Sequence, residues 1–222
     1  RQMCIRDRLY TYDEEGKRLS MSDLTGTSTY QYDADGRITG VQQGDGSVIL
    51  YNYDSYGNLA KLIYPDGSEV QYEYDALDRL IKVTDREGKE TGYTYDVAGN
   101  MTEVLRANQT SAKLTYDAAH QVTEIQNRDA KGKTISTYRY TYDLSGYILT
   151  ESIKTKKETK VSNYGYDAAG QLSEIVMKDS EDKVIQRVTY AYDGAGNKIE
   201  VRQSTENALE QATETIIKNT YN

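Results

Sequence analysis

Hydrophobic and polar positions alternate in short segments that each end at a Tyr-Asp dipeptide. Eight of nine such segments read Tyr-x-Tyr-Asp, from Tyr10-Thr11-Tyr12 to Tyr190-Ala191-Tyr192, and the exception reads Leu114-Thr115-Tyr116. Residues two apart lie on one face of a β-strand, so each pair of tyrosines points the same way. The alternation therefore predicts a β-strand before every Tyr-Asp dipeptide.

A turn signal follows each dipeptide. Gly stands three residues after the Asp in seven repeats, and Asp78 and His120 replace it in the other two. Asp at the first and Gly at the fourth position favour a type I turn, and Gly adopts the positive φ that closes a hairpin. Asp and His also tolerate that φ. The predicted structural repeat motif comprises Tyr12, Asp13, Gly16, Tyr32, Asp33, Gly36, Tyr53, Asp54, Gly57, Tyr74, Asp75, Tyr95, Asp96, Gly99, Tyr116, Asp117, Tyr142, Asp143, Gly146, Tyr166, Asp167, Gly170, Tyr192, Asp193 and Gly196.

A second strand is predicted after each turn. The residue six positions after the motif Tyr is apolar in seven of nine repeats, and the residue nine positions after it is apolar in eight of nine. A spacing of three also suits a helix, but the flanking turn signals are too close for one, so we predict a strand with a bulge or kink. Return turns are predicted at Asp45-Gly46, Pro65-Asp66-Gly67, Glu87-Gly88 and Lys131-Gly132. Each unit is then strand, turn, strand, turn, and the fold class is all-β.

The units form one repeat array. Successive motif tyrosines are separated by 20, 21, 21, 21, 21, 26, 24 and 26 residues, a period typical of repeat architectures. We assign residues 9–222 to this array, which ends at Tyr221-Asn222 just short of a tenth motif, and interpret the chain as an internal fragment of a longer protein. Residues 1–8 do not fit the repeat and resemble translated sequencing-adaptor read-through. A unit that is repeated nine times indicates a structural role, because a protein normally has one active site and not nine copies of it.

The repeats resemble a known family. Residues 72–80 (YEYDALDRL) and 93–101 (YTYDVAGNM) are similar to the YD repeat of Rhs-type proteins, which include bacterial Rhs polymorphic toxins, the C component of Tc toxins, wall-associated proteins and teneurins. The resemblance implies a curved antiparallel sheet that spirals into a hollow shell. In the toxins that shell encloses a C-terminal toxic domain, and in teneurins it is part of an adhesion receptor. The toxins also have an Asp-Pro autocleavage motif, whereas the single proline here, Pro65, follows Tyr64.

Composition argues against several other classes. The net charge is −8 and no basic stripe is present, which disfavours nucleic-acid binding. The longest basic run, residues 154–160 (KTKKETK), is interpreted as a solvated loop or strand end. No apolar run is long enough for a membrane span. The apolar fraction of 37% disfavours a deep core, and Cys4, the single cysteine, permits no internal disulfide.

Candidate chemistry is weak, so we predict no enzyme, no cofactor and no metal site. A catalytic His120 would need a positioned nucleophile and an orienting group, and the sequence indicates neither. A turn residue that tolerates positive φ explains His120 better. The repeated aspartates would have near-identical environments, whereas a glycosidase acid and base need unequal ones. Residues 33–36 (DADG) are superficially similar to a Ca²⁺ loop but lack its third acidic position and distal Glu. The tyrosines could stack on sugar rings, although packing within the sheet is the favoured use.

Two functions follow from the resemblance and the repeat. The first is a structural shell segment that encapsulates a C-terminal toxin or effector domain for delivery. Its partners would be the remaining repeats and the toxin domain of the same longer chain. The alternative is a cell-surface adhesion module that binds carbohydrate or protein, with glycans or surface proteins as partners. The resemblance implies a bacterial protein that is secreted or held at the cell surface.

Overall fold

The computed structural model describes residues 8–206 and 212–218, and within them the chain is all β, with nineteen strands and no helix. The predicted all-β, antiparallel fold class is confirmed. Residues 1–7, with Cys4, and the terminal Tyr221-Asn222 lie outside the described residues. The chain divides into two units, residues 1–93 and 94–222.

The first unit is a meander of antiparallel strands, in which each strand pairs with the next along the chain. Its strands are β1 (Leu9–Tyr12), β2 (Arg18–Asp23), β3 (Gly26–Tyr32), β4 (Ile38–Gln42), β5 (Val48–Tyr53), β6 (Leu59–Ile63), β7 (Glu69–Tyr74) and β8 (Leu80–Thr84), followed by β9 (Glu90–Tyr95), which spans the division between the units.

In the second unit each strand also pairs with the next along the chain, and every pairing is antiparallel. Its strands are β10 (Met101–Leu105), β11 (Ser111–Tyr116), β12 (Val122–Arg128), β13 (Thr134–Tyr142), β14 (Ile148–Thr155), β15 (Thr159–Tyr166), β16 (Leu172–Lys178), β17 (Val184–Tyr192), β18 (Lys198–Glu206) and β19 (Ala212–Lys218). Strands β13 to β17 have seven to nine residues, so the longer motif intervals here lengthen the strands.

A β-bulge explains the three-residue apolar spacing. Tyr32 lies opposite Ile38 and its neighbour Gln31 lies opposite Gly40, which leaves Thr39 as the extra residue. Past the bulge, Tyr30 lies opposite Val41. Residues directly opposite each other share a sheet face, so the apolar residues six and nine positions after the motif Tyr both lie on the tyrosine face. The predicted strand with a bulge is confirmed, and the same register shift recurs at other motifs.

The described residues have little core. Ala112 and Val188 are the buried apolar side chains among them, and Ser111, Thr137 and Ser162 are the buried polar ones. Most strand residues are half-buried, as expected of a sheet with few apolar residues. Stability must therefore come largely from the ladder hydrogen bonds and from contacts between neighbouring hairpins.

Candidate functional site

The nine motif turns, which follow the Tyr-Asp dipeptides, share one backbone geometry. In the turn at Asp143, the Asp N–H donates to the Tyr147 carbonyl at 2.9 Å, and the Gly146 N–H donates to the Asp143 carbonyl at 3.1 Å. Gly146 has a φ of 89°. This is a type I turn closed by a left-handed residue, a common hairpin connection. Asp78 and His120 have φ of 58° and 62°, in agreement with the sequence-based prediction for those positions.

The motif Asp side chain fastens each turn. Asp143 Oδ1 accepts hydrogen bonds from the backbone N–H groups of Ser145, at 2.8 Å, and Tyr147, at 2.9 Å. The same pair of bonds, from the residues two and four positions later, forms in all nine motif turns. The carboxylate thus replaces water for two turn amides that the hairpin ladder leaves unpaired.

The second carboxylate oxygen is also engaged in several turns. Arg79 Nε donates to Asp75 Oδ2 at 2.7 Å, and Asn100 Nδ2 donates to Asp96 Oδ2 at 2.9 Å. These side-chain bonds hold the pKa of Asp75 and of Asp96 below the ordinary value. Asp33 takes part in the same arrangement: backbone and side-chain bonds from Arg37 lower its pKa. Its carboxylate is therefore engaged in capping the turn within the DADG segment.

A hydrogen bond that the sequence analysis missed joins each repeat to the one before it. The hydroxyl of Tyr142 donates to the carbonyl of Val122 at 2.7 Å, and Tyr116 donates in the same way to Met101 at 2.8 Å. Three such bonds form within the first unit and four within the second. The acceptor is always the residue six positions after the previous motif Tyr, where the bulge shifts the register. We call this bond the tyrosine clamp.

The clamp explains why the second aromatic residue of the motif is Tyr in the repeats that form it. The chain has 22 tyrosines and no phenylalanine, although Phe would pack on a sheet equally well. That absence is the signal that could have revealed a used hydroxyl. Burial raises the pKa of the clamp tyrosines Tyr53, Tyr74, Tyr116 and Tyr142 above the ordinary value, so they stay protonated and can donate.

A second contact joins neighbouring motif turns. The side chain that follows the left-handed residue extends over the left-handed residue of the next turn. A Cβ added to Gly146 would lie 3.0 Å from Gln121 Nε2, and one added to Gly57 would lie 3.0 Å from Arg37 Nη1. Gly is therefore favoured at these positions both by its φ and by the neighbour that lies against it.

Asp78 and His120 occupy the same position under a shorter neighbour, Asn in both cases. Asn58 Nδ2 donates to Asp78 Oδ1 at 2.8 Å, and His120 Nδ1 lies 2.9 Å from Asn100 Oδ1. Because Asn100 Nδ2 donates to Asp96, its oxygen faces the imidazole, so His120 Nδ1 is assigned as the donor. The single histidine is thus held as part of a turn-to-turn contact.

The described residues contain no group of three or more His, Cys, Asp or Glu side chains arranged to hold a metal ion. The basic run at residues 154–160 covers the end of β14, the tight hairpin that follows it, and the start of β15. In that hairpin the Thr155 N–H donates to the Glu158 carbonyl at 2.9 Å. It is a strand end and loop, as predicted.

Tandem hairpins joined by tyrosine clamps define a structural repeat segment, and comparison with known proteins identifies the family. The family model described as Teneurin YD-shell matches residues 65–211, and the model described as RHS Repeat matches residues 12–48 and 32–69. The chain belongs to the teneurin YD-shell family. It is a segment of a YD-repeat shell. No curated protein sequence matches it.

Solved structures with a similar fold include Tc toxin components. The chain is 17% identical to TcdB2-TccC3 without its hypervariable C-terminal region, with a TM-score of 0.70, covering 90% of this chain and 12% of that one. The chain is 15% identical to TcdB2-TccC3-Cdc42, with a TM-score of 0.58, and the match covers 96% of this chain and 14% of that one. The Photorhabdus luminescens Tc holotoxin pore matches at 16% identity with a TM-score of 0.57, covering 90% and 14%. These likenesses concern the fold, and the chain spans only a small part of each relative.

Proposed function

We propose that this chain is a wall segment of a shell that encloses a C-terminal toxin or effector domain until delivery. The observation that carries the proposal is the tyrosine clamp, which recurs with one geometry in both units among the described residues. Because this bond joins each hairpin to the previous one in the same way, more hairpins can be added to the sheet with the same contact. Such a contact does not create a binding pocket. Containment needs such a wall.

The local geometry suits a barrier. Each strand within a unit is hydrogen-bonded along the ladder, so the wall has few open backbone groups at which an enclosed chain could add a strand. Both faces present many half-buried and polar side chains, and the described residues carry little buried apolar surface. Such faces tolerate water on either side and offer little apolar surface to trap an enclosed domain.

The partners follow from the same proposal. They are the remaining repeats of a longer chain and its C-terminal toxin domain, with residues 9–222 as a continuous part of the array. Similar structures support this, since one is of TcdB2-TccC3 without its hypervariable C-terminal region and another is of a Tc holotoxin pore. We place the assembly outside the bacterial cytoplasm, secreted or at the cell surface. The structural family and the engaged motif aspartates support a segment without catalytic activity of its own. The described residues form no helix that could cross a membrane.

Long-read sequencing of the native locus through both ends of this reading frame tests the proposal. Repeats that continue for several hundred residues into a cleavage motif and a divergent terminal domain would support encapsulation. Repeats that lead instead to an anchor or to further surface modules would refute it and favour adhesion. On the encoded full-length protein, limited proteolysis should leave the terminal domain intact until the shell is unfolded.

A further inference from the structure

A groove with a cavity of about 500 Å³ lies on the hairpin of the long strands β13 and β14. We call it the basic groove and define it by its lining residues Lys133, Ile135, Thr137, Arg139, Lys154 and Lys156. Thr137 lies directly opposite Lys154 in the register of the two strands. Ile135, Thr137 and Arg139 alternate along β13, so they share the face of Lys154, and the tyrosines of this strand lie on the opposite face.

The cations of the groove are largely uncompensated. Among the described residues, no ion pair involves Lys133, Lys154 or Lys156. Other strand cations, such as Lys61 and Lys82, form salt bridges with carboxylates of the neighbouring strand. Arg139 Nε donates to Glu124 at 2.6 Å, which leaves the other guanidinium nitrogens for further partners. The one carboxylate in the lining, Asp129, is turned to the hairpin, where its Oδ1 accepts the N–H groups of two following residues.

A further donor on the same face has no partner. Arg128 lies opposite Thr134, which lines the groove, and shares its face with Gln126. Its Nη2 donates to Gln126 Oε1 at 2.9 Å, but its Nε is buried without a hydrogen-bond partner. The buried Nε is closed to a ligand, but no carboxylate of the described residues pairs with Arg128, so its guanidinium adds a positive charge next to the groove.

We propose that the basic groove binds an acidic peptide segment. The concentration of cations is notable in a chain whose net charge is −8. Ile135, half exposed, can pack on the methylenes of Glu side chains. The groove lacks the aromatic surface on which sugar rings stack, because the aromatic residues of β13 lie on the other face. This inference is independent of the proposed encapsulation.

The test uses the whole chain and a short fluorescein-labelled poly-glutamate peptide, with binding followed by fluorescence anisotropy. We expect saturable binding that weakens as salt is raised, because exposed charges are screened. A triple variant, K133Q/K154Q/K156Q, should bind about tenfold more weakly, from three exposed charge pairs of ordinary strength. The matched control K113Q/K178Q/K183Q changes the net charge equally outside the groove and should bind like the original chain. Circular dichroism checks that both variants fold.

Three outcomes would overturn the inference. One is equal weakening by both triple variants, which would mean that binding follows net charge alone. Another is no binding of the peptide by a folded chain at low salt. The last is preference for another anion: hyaluronan fragments or inorganic phosphate, titrated as competitors, should displace the peptide only weakly, and stronger binding of either would assign the groove to a glycan or to a simple ion.

Discussion

Removing one tyrosine clamp should loosen the contact between two repeats without unfolding the array. In the variant Tyr142→Phe the ring remains, but the 2.7 Å hydrogen bond from its hydroxyl to the Val122 carbonyl is lost. A hydrogen bond of this kind contributes about 1 kcal/mol net, and more if the remaining carbonyl stays away from water. In a repeat protein that loss acts on one interface between neighbours. A loss of 1 kcal/mol corresponds to roughly a fivefold rise in the population of the locally open state.

Hydrogen exchange resolved by peptide measures this directly. Amides of β12 and β13 should exchange about fivefold faster in Tyr142→Phe, while distant hairpins keep their rates. Tyr138→Phe is the matched control on the same strand, because the structure records no hydroxyl hydrogen bond for Tyr138 within the described residues. Equal exchange in the two variants would refute the clamp as a stabilising contact. A uniform rise over the whole array would refute its local action.

Three further predictions concern the motif turns and the titration of the sheet. Asp143→Ala should lower the free energy of unfolding by about 1–2 kcal/mol, because two turn amides lose their acceptor, and Asp143→Asn by less; equal denaturant midpoints for the two would contradict this. Gly146→Ala should lower the free energy of unfolding by about 1 kcal/mol or more, because Ala is strained at a positive φ. The loss should exceed that of Gly132→Ala, since only the new Cβ at position 146 also contacts Gln121. Truncating Gln121 to Ala should make the two losses similar. Aspartates with a lowered pKa stabilise the fold above about pH 4, and this stabilisation is lost on acidification. Tyrosines with a raised pKa, about 12 for Tyr140, stabilise the fold below about pH 10. That stabilisation is lost as the pH rises through the pKa values of the folded state. A denaturant midpoint that stayed flat above pH 10 would contradict the tyrosine part.

Local sequence signals predicted the hairpins well, because each depends on residues close together in the chain. The bulge followed from apolar residues three apart between close turn signals, and the left-handed backbone at Asp78 and His120 followed from their place in the repeat. Return turns were harder. Gln109 and Asp182 have φ of 65° and 64° where no Gly marks the turn, so their turns were not predicted.

Contacts between repeats were not predicted, because a single motif does not contain them. The clamp joins a side chain in one hairpin to a backbone carbonyl in the previous one, and a carbonyl leaves no mark on residue choice. The contact of Asn100 with His120 joins residues twenty positions apart, and only the comparison of neighbouring turns reveals it. The role of the motif residues as the structural repeat stays a prediction for mutagenesis.

The tyrosine clamp has a direction, since the hydroxyl always comes from the later hairpin and the carbonyl from the earlier one. A ribosome releases the chain in that same order. Every acceptor therefore leaves the ribosome before its donor, so each new hairpin can add to one that is already available to fold. The wall can grow vectorially during translation, with one unpaired edge at a time, rather than waiting for the whole chain to collapse.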